Sequence, residues 1–144
     1  MKIVRRNEGL KLQVLGDNLQ IKLASKESSN GMAVISVEVP PGGMVPPHRH
    51  RDTEEGYLIL SGTLTMTSGS EQFELGDGDF AHVPPGALHG YQNRGAQPCR
   101  FLAWTIGGAL DQFFSELSET VKSVPQDLDK MGAILAKHNI YMEV

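Results

Sequence analysis

His48 and His50 stand one residue apart, Glu55 follows shortly after, and His89 comes directly behind a Pro84-Pro85-Gly86 turn. Together these side chains offer the lone pairs of a metal site. The first stretch reads Gly42-x5-His48-x-His50-x4-Glu55-x6-Gly62. Side chains alternate along an extended chain, so two histidines two positions apart share a face, and both imidazoles reach one point. After a short bend Glu55 begins the next extended run, with Tyr57 and Ile59 on its side and Leu58 and Leu60 opposite. The second stretch, Gly78-x5-Pro84-x-Gly86-x2-His89-x3-Asn93, ends a strand in a tight turn that aims His89 back toward the first group. Three neutral imidazoles and a carboxylate suit one divalent transition metal: iron, nickel, manganese, cobalt, copper or zinc. They suit calcium and magnesium poorly, because both prefer oxygen.

Other polar and aromatic residues compete for roles at such a site. Glu54 sits beside Glu55 and fits a shorter bend after His50; the six residues from Glu55 to Gly62 favour Glu55. His82, on the run into Pro84, reads first as a structural histidine, with support of a ligand or acid-base work as the sharper alternative. His138 falls near the end of a helical stretch, where it favours the helix C-terminus electrostatically. Tyr57 and Tyr91 share parity with Glu55 and His89, which turns them toward the interior, whereas Phe101 and Trp104 point to opposite sides of their run. Ordinary core packing accounts for any one of these rings.

The elements that must carry these residues are strands. From Leu10 to Thr105, short alternating or apolar runs are separated by Gly, Pro, Asn and Asp clusters, the pattern of an antiparallel sandwich or barrel. Runs are expected at 10–15, 19–24, 32–39, 56–60, 63–67, 72–75, 80–83, 88–92 and 100–105. Met32–Val39 alternates most clearly, with Ala33, Ile35, Val37 and Val39 on one side. Leu60-Ser61-Gly62-Thr63 reads as a tight hairpin and Gly76-Asp77-Gly78-Asp79 as a second reversal. After Gly107-Gly108 the period becomes helical: Leu110, Phe113, Phe114, Leu117 and Val121, then, beyond Pro125, Leu128, Met131, Ile134 and Leu135. The expectation is a β-barrel over 1–108 and a helical hairpin over 109–144, docked on the barrel's outside or across a dimer.

With 144 residues, the chain has the length of one domain, and 16 glycines and 8 prolines in a 40% hydrophobic sequence suit a folded β-rich protein. A net charge of −4 without a basic run argues against nucleic acid as a partner. No apolar stretch approaches the ~18 residues of a membrane span, Met1–Glu8 lacks the apolar core of a secretion signal, and Cys99 has no second cysteine to pair with. A soluble cytoplasmic protein is expected.

Both stretches match, without a mismatch across Gly42–Asn93, the two motifs by which this chain resembles the cupin superfamily. The resemblance implies an all-β fold, a cupin double-stranded β-helix or jelly-roll barrel, with the metal held inside by His48, His50, Glu55 and His89. Only Thr63–Asp77 separates the motifs, which is similar to the compact one-domain bacterial cupins and implies a homodimer with room for one small-molecule substrate or ligand. Gly107-Gly108, Phe113-Phe114 and the ending His138-Asn139-Ile140 are loosely similar to tails of quercetin 2,3-dioxygenase-like cupins. The implied function is a metal-dependent dioxygenase acting on an enol or phenol, with Glu55 doubling as the base. A non-catalytic binding or sensor cupin, and a metal-dependent isomerase, lyase or decarboxylase, stand beside it, since one fold hosts many functions.

Overall fold

Met32–Val39 sets the rule for the molecule: Ala33, Ile35, Val37 and Val39 are buried, and the residues between them reach the other side of the strand. A computed structural model describes residues 1–143; Val144, the last residue of the expected tail, lies outside the described residues. The strands are β1 (Leu10–Val14), β2 (Asp17–Leu23), β3 (Met32–Val39), β4 (Met44–His50), β5 (Glu54–Ser61), β6 (Leu64–Ser68), β7 (Glu71–Leu75), β8 (Phe80–Val83), β9 (His89–Gln92), β10 (Cys99–Ile106) and β11 (Ile140–Met142). Helices α1 (Leu110–Thr120) and α2 (Leu128–Lys137) precede β11. One sheet has the order β1-β2-β3-β10-β5-β8 and the other β11-β4-β9-β6-β7, all antiparallel. Their inner faces bury Ile35, Ile59, Leu64 and Phe101 between them. This is the expected mostly-β, two-sheet jelly roll with a helical tail.

Two features of the backbone place the chemistry. In the second sheet, β4 pairs with β9 so that His48 lies opposite His89, with an irregularity between Val45 and His48 where Pro46 and Pro47 lack ladder donors. Gly90, next to His89, lets β4 approach that closely: a Cβ there would stand 2.8 Å from the Val45 carbonyl oxygen and 3.0 Å from the Pro47 nitrogen. In the other sheet, Thr105 of β10 lies opposite Glu55 of β5. Beyond β10, Gly107 and Gly108 take positive φ, and a Cβ on either would collide with Asp52 or Thr53, so the bend between His50 and Glu55 packs directly on these glycines.

The tail differs from its expected position. Leu110, Phe113 and Leu117 of α1 and Ile134 of α2 are buried, and with Phe114, Met131 and Leu135 they join the barrel's own core instead of docking outside it. An open sandwich end leaves inner apolar residues facing water, and an amphipathic hairpin is the element at hand to cover it. Leu128, counted in the same stripe by its spacing, remains exposed. The chain then returns as β11, which pairs Ile140 with His50 and Met142 with His48; in the flanking contacts the Arg51 N–H donates to the Asn139 carbonyl and the Glu143 N–H to the Pro47 carbonyl. Three residues were too short a run to read as a strand. Among the described residues, no helix is long and apolar enough to cross a membrane.

Two outcomes follow from this framework. A chain ending at His138 loses the β11 ladder and the buried Ile140, and should be destabilised by about 3 kcal/mol, with faster amide exchange at His48 and His50; unchanged melting and exchange would show that β11 does not hold β4. Gly90→Ala should force β4 away from β9, costing about 1–3 kcal/mol and weakening any metal bound by His48 and His89 together. A variant with wild-type melting temperature and metal affinity would refute the close-approach argument.

Candidate metal centre

His48, His50 and His89 point to a common centre inside the sandwich, each of them buried, with one ligand atom apiece lying within 4.8 Å of the others. His48 and His50 project from the same face of β4, with ring centroids 4.8 Å apart, and the His89 ring lies 4.3 Å from His48 and 5.5 Å from His50. His48 Nδ1 is 2.8 Å from the Pro46 carbonyl oxygen and His89 Nδ1 is 3.0 Å from that of Ala87. A carbonyl oxygen can only accept, so each Nδ1 carries the hydrogen and donates it, which leaves the Nε2 lone pair for the centre.

Glu55, 3% exposed, closes the group. Its Oε2 is 2.9 Å from His89 Nε2 and 3.6 Å from His50 Nε2, while Oε1 accepts a hydrogen bond from the Tyr57 hydroxyl at 3.1 Å. His89 Nε2 and Glu55 Oε2 are close, yet with the ring hydrogen on Nδ1 a neutral His89 has none on Nε2 to donate, and both atoms are buried without a hydrogen-bond partner. Leaving such atoms unanswered costs about 1–3 kcal/mol each. Lone pairs that converge without bonding one another fit a cation between them, so the donor set fits a divalent transition metal.

The charge balance supports this. Burial lowers the His48 pKa to about 4, helped by the neighbouring His89 and His50, and burial lowers that of His50 as well. Both therefore stay neutral, the form that binds metal. Burial pushes the Glu55 carboxyl up, but contact with His89 and the nearby His50 and His48 outweigh it and bring it below the ordinary range. Burial pushes His89 down, and Glu55 in turn brings it above its ordinary value. Burial and the Glu55 carboxylate hold the Tyr57 hydroxyl well above its usual range, so it remains a donor.

The neighbouring acids separate as strand parity requires. Glu55 faces inward, whereas Glu54 is exposed and its Oε1 meets His82 Nε2 at 2.7 Å on the outside of the barrel. His138 pairs with Glu116 at 2.8 Å and packs on Phe113, between α1 and the end of α2. Tyr57, Tyr91 and Phe101 line a cavity of about 750 Å³ that also touches His48, His50 and Glu55. Trp104 instead stacks on Phe80, centroids 5.2 Å apart, on the outer face. The residue missed by sequence reasoning is Asp17. It is buried, lines the same cavity and accepts a hydrogen bond from the Tyr91 hydroxyl at 2.7 Å. Carrying the inward parity of Leu19 and Ile21 two residues back would have found it, but Asp17 read as part of a turn.

With this geometry in hand, comparisons with known proteins are informative. The cupin domain family matches residues 35–105. A quercetin 2,3-dioxygenase from Bacillus subtilis is 28% identical over 118 residues, covering 81% of this chain and 34% of that protein. An uncharacterized protein of Methanocaldococcus jannaschii is 39% identical over 64 residues, covering 44% of this chain and 51% of the other. The chain thus spans between a third and half of these relatives. Among solved structures, one described as a predicted oxalate decarboxylase from Thermotoga maritima superposes with a TM-score of 0.69 at 23% identity, over 74% of this chain and 99% of that one. The polyketide cyclase RemF from Streptomyces resistomycificus gives 0.64 at 24%, over 74% and 79%. The two matched motifs, the two-sheet jelly roll and these relatives agree: the chain belongs to the cupin superfamily.

Proposed function

We propose that the protein is a metal-dependent enzyme that uses dioxygen to oxidise a small enol or phenol, a quercetinase-like dioxygenase in which His48, His50, His89 and Glu55 hold the metal. The carrying observation is Glu55: a buried carboxylate whose Oε2 has no hydrogen-bond partner, set against the imidazoles on one side and the cavity on the other. The relative named quercetin 2,3-dioxygenase supports the same reading.

The bound metal would supply a Lewis acid that acidifies a substrate hydroxyl and gathers both reactants in one place. The chain's own residues do the remainder. Hydrogen bonds from His48 and His89 to backbone carbonyls fix the rings, so the Nε2 atoms are oriented before anything binds. The Tyr57 hydroxyl holds Glu55 Oε1, so Oε2 is the atom that would hold the metal and, once released from it, would accept the substrate proton. Cavity walls such as Val37, Phe101 and Phe113 exclude water and leave space for a flat apolar body.

Metal-free protein titrated with iron(II), nickel, cobalt or manganese should bind about one ion per chain, and His48→Ala or His89→Ala should weaken binding by roughly 100-fold or more. Stoichiometric retention in both variants would remove the assignment. At saturating metal, oxygen uptake with a panel of enols and phenols should fall by about 100-fold or more in Glu55→Gln and stay within about twofold in Glu54→Gln. If no member of the panel were turned over with any of these metals while a ligand bound stoichiometrically, the protein would be a binding module.

A further inference from the structure

A carboxylate on the core face of a strand is unusual, and Asp17 is one. In β2 it occupies the inward position that Leu19 and Ile21 fill further along, and it is 6% exposed. Among the described residues, the one hydrogen bond to its carboxyl comes from the Tyr91 hydroxyl at 2.7 Å. One donor answers two oxygens with room for several, so this carboxyl keeps acceptor capacity inside the cavity it lines. Burial, only partly offset by Tyr91, raises its pKa to about 6.

Its position relative to the metal centre is set by β9. Tyr91 follows His89 by two residues on the same face of the strand, a separation of about 7 Å between Cα atoms. The Phe101 ring lies between the two tyrosines, its centroid 5.2 Å from that of Tyr57 and 5.6 Å from that of Tyr91. The cavity therefore has two acid–phenol pairs, Glu55–Tyr57 at the histidines and Asp17–Tyr91 beyond them, with an aromatic surface between. A hydroxyl at the far end of a ligand would find an acceptor in Asp17, whereas an apolar end would leave that carboxyl buried and under-bonded. Sites of that kind discriminate strongly for the hydroxyl.

We propose that Asp17, positioned by Tyr91, is a second recognition point in the cavity, and that it selects aromatic ligands carrying a hydroxyl at the end remote from the histidine cluster. The inference rests on the small-molecule reading of the same cavity and adds the class of ligand: a flat aromatic body hydroxylated at both ends.

The test uses the full chain loaded with zinc, which does not activate oxygen, and two probes that differ by one remote hydroxyl, flavonol and 4′-hydroxyflavonol. Affinities are read by fluorescence titration, with metal content and melting temperature measured on every sample. The wild type should bind 4′-hydroxyflavonol about tenfold or more tightly than flavonol. In Asp17→Leu that ratio should fall to near one with the zinc retained, and in Asp17→Asn, which keeps the shape and one acceptor oxygen, it should fall to an intermediate value. If Asp17→Leu does not fold, the fall in Asp17→Asn decides. Equal affinities in the wild type, no binding of either probe, or a ratio unchanged in the folded variants would overturn the inference. Oxygen uptake is measured separately, with iron(II), nickel, cobalt or manganese in place of zinc: uptake by a protein whose zinc form does not discriminate the probes would sink this inference and leave the dioxygenase reading intact, and discrimination by the zinc form with no uptake under any of these metals would do the reverse.

Discussion

Three imidazoles and a carboxylate buried in an apolar sandwich need something to answer their lone pairs. Burial, with the neighbouring imidazoles, holds His48 and His50 neutral, and neutral rings facing one another present lone pair to lone pair. The hydrogen bonds within reach are already used on the other side of the rings, from His48 to Pro46 and from His89 to Ala87. His89 Nε2, Glu55 Oε2 and, in the third ring, His50 Nδ1 have no partner of their own. A cation at the centre would answer His89 Nε2 and Glu55 Oε2 at once.

The converging side chains come from both sheets. His48, His50 and His89, the group that could hold a metal, come from β4 and β9 of one sheet, and Glu55, which stands against them, from β5 of the other, so the group bridges the sandwich. Such a bridge is sensitive to small shifts of either sheet, and several close contacts fix it. Gly90 admits β4 against β9, Gly107 and Gly108 receive the bend that leads into Glu55, and β11 pairs with the two histidines of β4. The helical tail serves the same interior. Its apolar face walls the cavity, so the segment that closes the barrel also shapes the space beside the metal centre.

Much of this was legible in the sequence, because it follows from local periodicity. Two histidines at i and i+2 share a face whatever surrounds them, and the same parity distinguishes inward Glu55 from outward Glu54. Features that depend on distant segments were not legible. Nothing near His82 indicates that Glu54 is its partner, since the contact arises from the pairing of β5 with β8. Ile140–Met142 is a strand only because β4 offers an edge. The apolar stripe of the tail was visible, but helical spacing does not say whether the surface beneath it is the outside of a barrel or its open end. Asp17 was missed because an Asp before an apolar run reads as a turn residue, and only the opposite wall, with the Tyr91 hydroxyl, makes its inward position tenable.

Whether these donors share one metal ion is read from X-ray absorption at the metal edge of the loaded protein. The expected coordination shell contains three imidazole nitrogens, with their outer-shell scattering, and at least one oxygen. A shell with one imidazole or none, or a spectrum unaltered when His50 is replaced by alanine, would contradict it.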